Sequence, residues 1–298
     1  MSIKKILVTG AAGLLGTEIC TQLKQDPNNY VVAMDNLTRS NALPPYDSFH
    51  NLNLRERSWF DEVGYDFDQI YHYSAINGTT NFYERPNEVL TNNFVSDVNL
   101  FEFAALCPNL TKFVYASTSE IVSDDPICPV PELTDINIKN IHNPRWSYRI
   151  AKVASENYLV NSKLPWVVLR YFNVYGNNSK KGHFIGDQIE KIKNNIFEVI
   201  GGDETRSFCY IEDAINATIF CANNAINDVI NIGNDEEISI FDAVDIIAQA
   251  TGHADANWTR IDGKEGSTKR RQPDISKLRS IMPEYSPRPF SEGVLNCI

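Results

Sequence analysis

The sequence predicts an α/β fold, a doubly wound parallel sheet followed by a smaller C-terminal lobe, on three observations. Short β-rich runs alternate with helix-length segments through the first half of the chain, the pattern of parallel strands joined by crossover helices. Most of these runs are apolar almost throughout rather than alternating, as strands covered by helices on both faces are. A glycine-rich turn stands directly between the first run and the first helix. The 298 residues, 43% of them hydrophobic, suffice for one large domain or two smaller ones with a substantial core.

Taken in order, residues 6–9, 30–35, 69–74, 112–117 and 166–171 read as strands, with helical patterns over 17–25, 89–106 and 146–160. Beyond Tyr171 the pattern loosens into a Gly/Asn/Lys-rich stretch over 176–182, a helix near 186–194, and short mixed elements to the end. The expected division is a dinucleotide-binding domain over 1–175 and a mainly substrate-binding lobe over 176–298. Within 206–234 one strand-like run, 229–232, either returns to the main sheet or extends the small lobe; a helix begins after it near the capping candidate Ser239. No internal repeat or low-complexity tract is present.

The net charge of -11 supplies no cationic surface for a phosphate backbone, so nucleic acid is not an expected partner, and any anionic ligand must be held by local groups. The apolar stretch after Lys5 is too short for a signal peptide, and no window reaches the roughly 20 apolar residues of a membrane span, so a cytoplasmic protein is expected. The six cysteines (Cys20, Cys107, Cys128, Cys209, Cys221 and Cys297) lie far apart with no Cys-x-x-Cys pair. They read as reduced, buried thiols, and no metal site is expected.

The turn after the first run is Gly10-Ala11-Ala12-Gly13-Leu14-Leu15-Gly16. Three glycines alone mark ordinary tight turns as often as anything else. Between a strand and a helix they permit a sharp turn and close backbone approach to a pyrophosphate, which the free N–H groups of the helix start then attract. That is a Rossmann-type cofactor loop. Asp35 ends the second strand, 19 residues beyond Gly16. There a carboxylate accepts hydrogen bonds from the adenosine ribose hydroxyls and repels a 2'-phosphate, which favours NAD over NADP. Arg39, four residues later, is the feature that could instead accommodate a phosphate. The alternative for Asp35 is a solvated turn residue before Asn36.

Tyr148 and Lys152 stand four residues apart in the helical run over 146–160, hence on one face about a turn apart. A phenol with a pKa of about 10 is a poor base at neutral pH, and a fixed cation together with an oxidised nicotinamide favours its ionised form. By itself this spacing is usually a solvated helix face. Upstream, the strand over 112–117 runs into Ala116-Ser117-Thr118-Ser119-Glu120. Active groups of doubly wound sheets sit at the carboxyl ends of strands, where a hydroxyl can bond the reacting oxygen; the alternative is a turn rich in small polar residues.

In this order the motifs resemble the extended short-chain dehydrogenases, in particular their NAD-dependent nucleotide-sugar epimerase and dehydratase group. That group includes UDP-galactose 4-epimerase, dTDP-glucose 4,6-dehydratase and UDP-glucuronate decarboxylase. The resemblance covers nearly the whole chain. Besides the residues above it includes Asp35-Asn36-Leu37, His72-Tyr73-Ser74-Ala75 where the family has His-Leu-Ala-Ala, and Asn93 with Asn99-Leu100-Phe101-Glu102. It continues through Leu169-Arg170-Tyr171-Phe172-Asn173-Val174-Tyr175-Gly176, Gly202-Asp203, Thr205-Arg206-Ser207-Phe208 and Arg271-Gln272-Pro273-Asp274.

The resemblance implies that Thr118, Tyr148 and Lys152 form the hydride-transfer group. It implies cofactor contacts from Gly10, Gly13, Leu15, Gly16, Asp35, Asn36, Ala75, Tyr148 and Lys152, and it places Asn173, Arg206 and Arg271 near the diphosphate of a nucleotide sugar. Two arginines can make the local bidentate clamp a diphosphate needs, although either alone reads equally as a surface ion pair. It also implies a homodimer, joined through the helices over 89–106 and 146–160 as a four-helix bundle. Departures from the family are Ala151 where many relatives carry Ser, Asn53-Leu54 in place of an acidic residue after the third strand, and a short C-terminus that predicts a missing last helix.

Oxidation of a sugar at C4 yields a ketone that acidifies its neighbours, after which the scaffold can return the hydride to the other face, eliminate water, lose a carboxyl group or release the ketone. Dehydratases of this type carry Thr-Asp-Glu where this chain has Thr118-Ser119-Glu120, which disfavours ordinary 4,6-dehydration. Ser117-Thr118-Ser119-Glu120 and Arg271 are similar to UDP-glucuronate decarboxylases, but the decarboxylase signatures near Gly176 are absent. The leading expectation is an epimerase working through a transient 4-keto sugar, with Glu120 adding proton chemistry beside the ketone. Decarboxylase, dehydratase and 4-dehydrogenase are the alternatives on the same scaffold. From another class, a non-catalytic NAD-binding sensor remains, although such proteins commonly lack the Tyr/Lys pair. A reductase of small neutral carbonyls would not need Arg206 and Arg271.

Overall fold

Ile6, Leu7 and Val8 of the first strand, β1 (Lys4–Thr9), have no exposed surface, so both faces of this strand are covered. The computed structural model describes residues 3–122, 126–138, 140–177, 183–262 and 268–298. Along the chain follow β2 (Asn29–Asp35), β3 (Ser48–Asn51), β4 (Gln69–His72), β5 (Lys112–Thr118), β6 (Trp166–Tyr171), β7 (Val174–Tyr175), β8 (Glu198–Ile200), β9 (Thr205–Arg206), β10 (Cys209–Tyr210) and β11 (Asp228–Ile232). Seven of them make one parallel sheet in the order β11-β6-β5-β4-β1-β2-β3. The order reverses between β1 and β4, and such a switch point opens a crevice at the carboxyl ends of the strands.

The helices are α1 (Leu14–Leu23), α2 (Trp59–Val63), α3 (Thr79–Glu84), α4 (Pro86–Ala105), α5 (Trp146–Val160), α6 (Phe184–Lys193), α7 (Ile211–Asn224), α8 (Ile240–Ala250), α9 (Ser276–Ile281) and α10 (Phe290–Gly293). Alternate residues of each strand feed two separate cores, because strand side chains alternate between faces. Ile6, Val8, Val31 and Val167 pack with Ile19 of α1 and Ile215 of α7. Leu7, Val32, Phe113 and Val168 pack with Leu100, Phe103 and Leu159 of α4 and α5. Short pairs, β7 with β10, β8 with β13 (Thr259–Ile261) and β9 with β12 (Ile238–Ser239), stand apart from the main sheet.

Several boundaries differ from the sequence reading for local reasons. β3 is absent from the expected runs; as the outer strand, its Ser-Phe-His-Asn stretch is half-buried or exposed and needs no continuous apolar pattern. α4 starts at Pro86, since proline lacks only a donor that the first helical turn leaves free. α1 starts at Leu14, so Gly16 lies in its first turn. β11 pairs with β6 in the main sheet, and Ser239 caps α8 by accepting from the Asp242 amide at 2.9 Å. After Pro289 the chain forms α10 and a short 3-10 turn, with the Phe290 ring 5.0 Å from that of Phe208. Residues 178–182 of the Gly/Asn/Lys-rich stretch lie outside the described residues. Among the described residues no helix is long and apolar enough to cross a membrane.

Candidate active site

The glycine loop is shaped by contacts that exclude side chains. Gly10 has φ +68°, and a Cβ there would come within 2.6 Å of the Ser74 backbone nitrogen; one on Gly16 would come within 2.1 Å of the Gly10 carbonyl oxygen. The turn therefore presses against the end of β4 and delivers α1 with no side chain capping its first N–H groups. A cavity of about 370 Å³ opens there, at the switch point. Gly10, Gly13, Leu15, Gly16, Asp35, Asn36, Ala75, Thr118, Glu120, Tyr148, Lys152, Asn173 and Arg271 all line it.

Asp35 braces the loop. Its Oδ2 accepts from the Ala12 amide at 3.0 Å and its Oδ1 from the Leu37 amide at 2.7 Å. Arg39 does not lie free beside it: one guanidinium nitrogen bonds Asn77 and the other stands 3.2 Å from His183 Nε2, across the cavity mouth.

At the other end, Tyr148 is buried and stacked on Phe82 at 5.1 Å, and it lines the cavity together with Thr118 at the end of β5. Burial, then the charge of Glu120, push its phenol well above the ordinary tyrosine value, against the opposing help of Thr118 and Arg39. Lys152 Nζ donates to the Tyr115 hydroxyl and the Ala116 carbonyl, each at 3.1 Å, and lies 3.6 Å from Asp97 Oδ2. Its charge is shared with Asp97.

Glu120 differs from expectation. Its Oε1 lies 2.7 Å from Arg271 Nη1 and 3.1 Å from Arg145 Nη2. Burial acts to raise the carboxyl, but Arg271 and Arg145, with Arg149, outweigh it and bring it down to about 2. So low a value makes Glu120 an ion-pair partner and a weak proton acceptor. Arg271 also donates to Thr268 Oγ1 at 3.0 Å, while its buried Nε has no hydrogen-bond partner among the described residues. Arg206 is not in the cavity lining; it donates to the Thr205 carbonyl at 2.7 Å, and burial with the nearby charge of Arg271 lowers it to about 9. Asn173 sits at φ 42° in the lining.

Sequence reasoning missed Arg145, whose one signal is its place three residues before Tyr148, and Asp97, a carboxylate on the buried side of a largely apolar helix.

Residues 6–233 match the NAD dependent epimerase/dehydratase family. The chain belongs to that family. It is therefore an enzyme family member with NAD as its cofactor, related to nucleotide-sugar epimerases and decarboxylases. It is 26% identical to the UDP-N-acetyl-α-D-glucosaminuronate decarboxylase of Bacillus cytotoxicus, over 99% of this chain and 97% of that one. It is 31% identical to a Methanocaldococcus jannaschii protein provisionally named a UDP-glucose 4-epimerase, over 93% of this chain and 92% of the relative. Among solved structures, a mutant of UDP-glucuronic acid 4-epimerase from Bacillus cereus, in complex with UDP-4-deoxy-4-fluoro-glucuronic acid and NAD, is 27% identical with a TM-score of 0.85, covering 98% of this chain and 97% of that one.

Proposed function

We propose that the protein is a nucleotide-sugar 4-epimerase that works through a transient 4-keto sugar. The observation that carries this reading is that Thr118, Tyr148 and Lys152 line the same cavity as the glycine loop, while Glu120 at the strand end is tied to two arginines. A reaction that needs no extra base at carbon suits such a site best. The residues fit NAD: the loop admits no Cβ at Gly10 or Gly16, and Asp35 stands where ribose hydroxyls would meet a carboxylate. Gly13, Leu15, Asn36 and Ala75 would complete that contact surface. When bound, NAD supplies the hydride acceptor and later the donor beside sugar C4.

Tyr148 takes the proton from the C4 hydroxyl and returns it after the sugar has turned its other face. Thr118 orients that hydroxyl, and the Lys152 charge favours the phenolate. Arg271, with a buried Nε lacking an acceptor among the described residues, and Asn173 hold the diphosphate, with Arg206 adding positive charge from outside the lining.

A second reading, decarboxylation, is favoured by the Arg145–Glu120–Arg271 cluster beside Thr118, which gathers guanidinium groups where a sugar carboxylate could be received. Loss of carbon dioxide from a keto acid likewise needs no base at carbon. Incubation with UDP-glucose, UDP-N-acetylglucosamine, UDP-glucuronic acid and UDP-N-acetylglucosaminuronic acid, followed by NMR, decides between them. Inversion at C4 with all carbons retained is expected. Loss of C6 selects the second reading, and no change in any sugar rejects both.

A cytoplasmic homodimer belongs to the same reading. α4 and α5 pack side by side, with Phe101 and Tyr158 stacked at 5.5 Å, and leave Val95 and Tyr158 exposed for a second copy. Light scattering should give twice the 33.7 kDa of one chain.

A further inference from the structure

Five elements bring buried polar side chains together beneath the cavity. Asp97, on α4, has no exposed surface. Its Oδ1 lies 2.7 Å from His72 Nε2 on β4, while its Oδ2 accepts from the Tyr115 hydroxyl on β5 and lies 3.6 Å from Lys152 Nζ on α5. His72 Nδ1 stands 2.7 Å from Thr9 Oγ1. Because a carboxylate only accepts, the imidazole proton belongs on Nε2, and the Thr9 hydroxyl then donates to Nδ1. The ring is neutral in this arrangement, in keeping with burial, the largest influence, which lowers its pKa. Lys152 is therefore the cation of the network.

A buried ammonium loses its proton unless a counter-charge compensates for lost hydration. The groups around Lys152 divide clearly. Glu156, on its own helix, is paired with Arg170 at 2.8 Å and bonded to Ser117. Glu120 is held by Arg271 and Arg145. Tyr115 is neutral, burial holding its phenol well above the ordinary value. Tyr148 is neutral until it gives up its proton, and Arg39, which reaches Tyr148 electrostatically, is itself a cation. Asp97 alone among these faces Lys152 without a cation of its own. Burial works to lower the Lys152 pKa, and Asp97 opposes it.

We propose that Asp97 is a positioning residue for the reaction: the counter-ion that keeps Lys152 protonated and held beneath Tyr148 across the working pH range. This rests on the reading of Tyr148 and Lys152 given under the proposed function and adds a residue that the sequence motifs do not include. The pairing has a definite consequence. Without Asp97 the lysine keeps only the weaker pull of Glu156, which is already paired with Arg170, so it loses its proton at a lower pH, and phenolate formation at Tyr148 loses that cation from there upwards, against the smaller gain of removing a charge that itself raises the phenol.

The test uses the NAD-loaded protein with isotope-labelled lysine, the Lys152 resonance being assigned by its loss in Lys152→Met. In the wild type the ammonium should stay protonated through the neutral range, although burial places its pKa below that of an ordinary lysine. In Asp97→Asn, which keeps the size and one of the two accepting oxygens, its midpoint should fall by about one to three pH units. The rate of NAD reduction with UDP-glucose and UDP-glucuronic acid should acquire a descending alkaline limb at the same pH. An unchanged Lys152 midpoint, or a rate loss equal at every pH, overturns the proposal in favour of a merely structural aspartate. If Asp97→Asn does not fold, the wild-type titration still decides, because a Lys152 that deprotonates below about pH 8 in the presence of Asp97 has no effective counter-ion. Rapid NAD reduction by Tyr148→Phe would remove the base assignment while leaving the Lys152 titration as the measure of the pair.

Discussion

The two ends of the cavity are built on different principles. The cofactor end is backbone: a turn that excludes Cβ atoms at Gly10 and Gly16, an uncapped helix start, and Asp35 tied to the Ala12 and Leu37 amides. Its parts lie within one β-α-β unit. The reacting end is a lattice of side-chain charges from distant parts of the chain, with Glu120 between Arg145 and Arg271 and Lys152 against Asp97. The first kind of site tolerates no added atoms. The second tolerates isosteric change but depends on every proton being in place.

The largest effect that sharpens this contrast is expected from Tyr148→Phe, which removes the proton acceptor while keeping the ring stacked on Phe82. NAD reduction on adding the turned-over nucleotide sugar should fall by about 10² to 10⁴. Stopped-flow absorbance of bound NADH measures it, and undiminished reduction would show that the phenol is not the base.

Next in size is Glu120→Gln. The buried Arg271 and Arg145 lose their counter-charge, a change that costs about 3–5 kcal/mol for fully buried pairs and somewhat less here. The folded-state pKa of Glu120 is depressed, so its stabilisation is complete above the unfolded value of about 4.3 and is lost as pH falls towards 2. Thermal melts should therefore show a wild-type decline between about pH 4 and 2 that the variant lacks in part. At neutral pH the folded variant should still form NADH with the substrate and retain turnover within about tenfold of the wild type. A turnover loss as deep as that of Tyr148→Phe would restore Glu120 as a proton-transfer group.

The smallest effect is expected at the cofactor end from Asp35→Ala. Calorimetry should find that wild-type protein prefers NAD to NADP and that the variant narrows the preference by about tenfold, or roughly 1.4 kcal/mol. Equal binding of both cofactors by the wild type would mean that Arg39 releases Asn77 and His183 to take a 2'-phosphate.

Sequence legibility follows the same division. The glycine loop, Asp35 and the Tyr148/Lys152 spacing were readable because each depends on neighbours within a strand, a turn or one helix turn. The edge strand β3 was not, since an outer strand carries no two-sided apolar signal. Arg145 and Asp97 were passed over because a single charge on a helix ordinarily faces water. Only the packing of α4 and α5 on the sheet removes Asp97 from solvent.

The order of motifs determined the α/β class, the cofactor loop and the family to which the chain belongs, because backbone turns and helix periodicity are properties of short segments. Tertiary structure alone decided the state of the charges. Residue 271 lies 151 positions from residue 120, and their meeting sets the expected proton-transfer group in an ion pair that holds its carboxyl down. The physical reason is that a pKa is set by burial and by charges within a few ångströms. Those neighbours are assembled by the fold from segments whose own sequences carry no sign of one another.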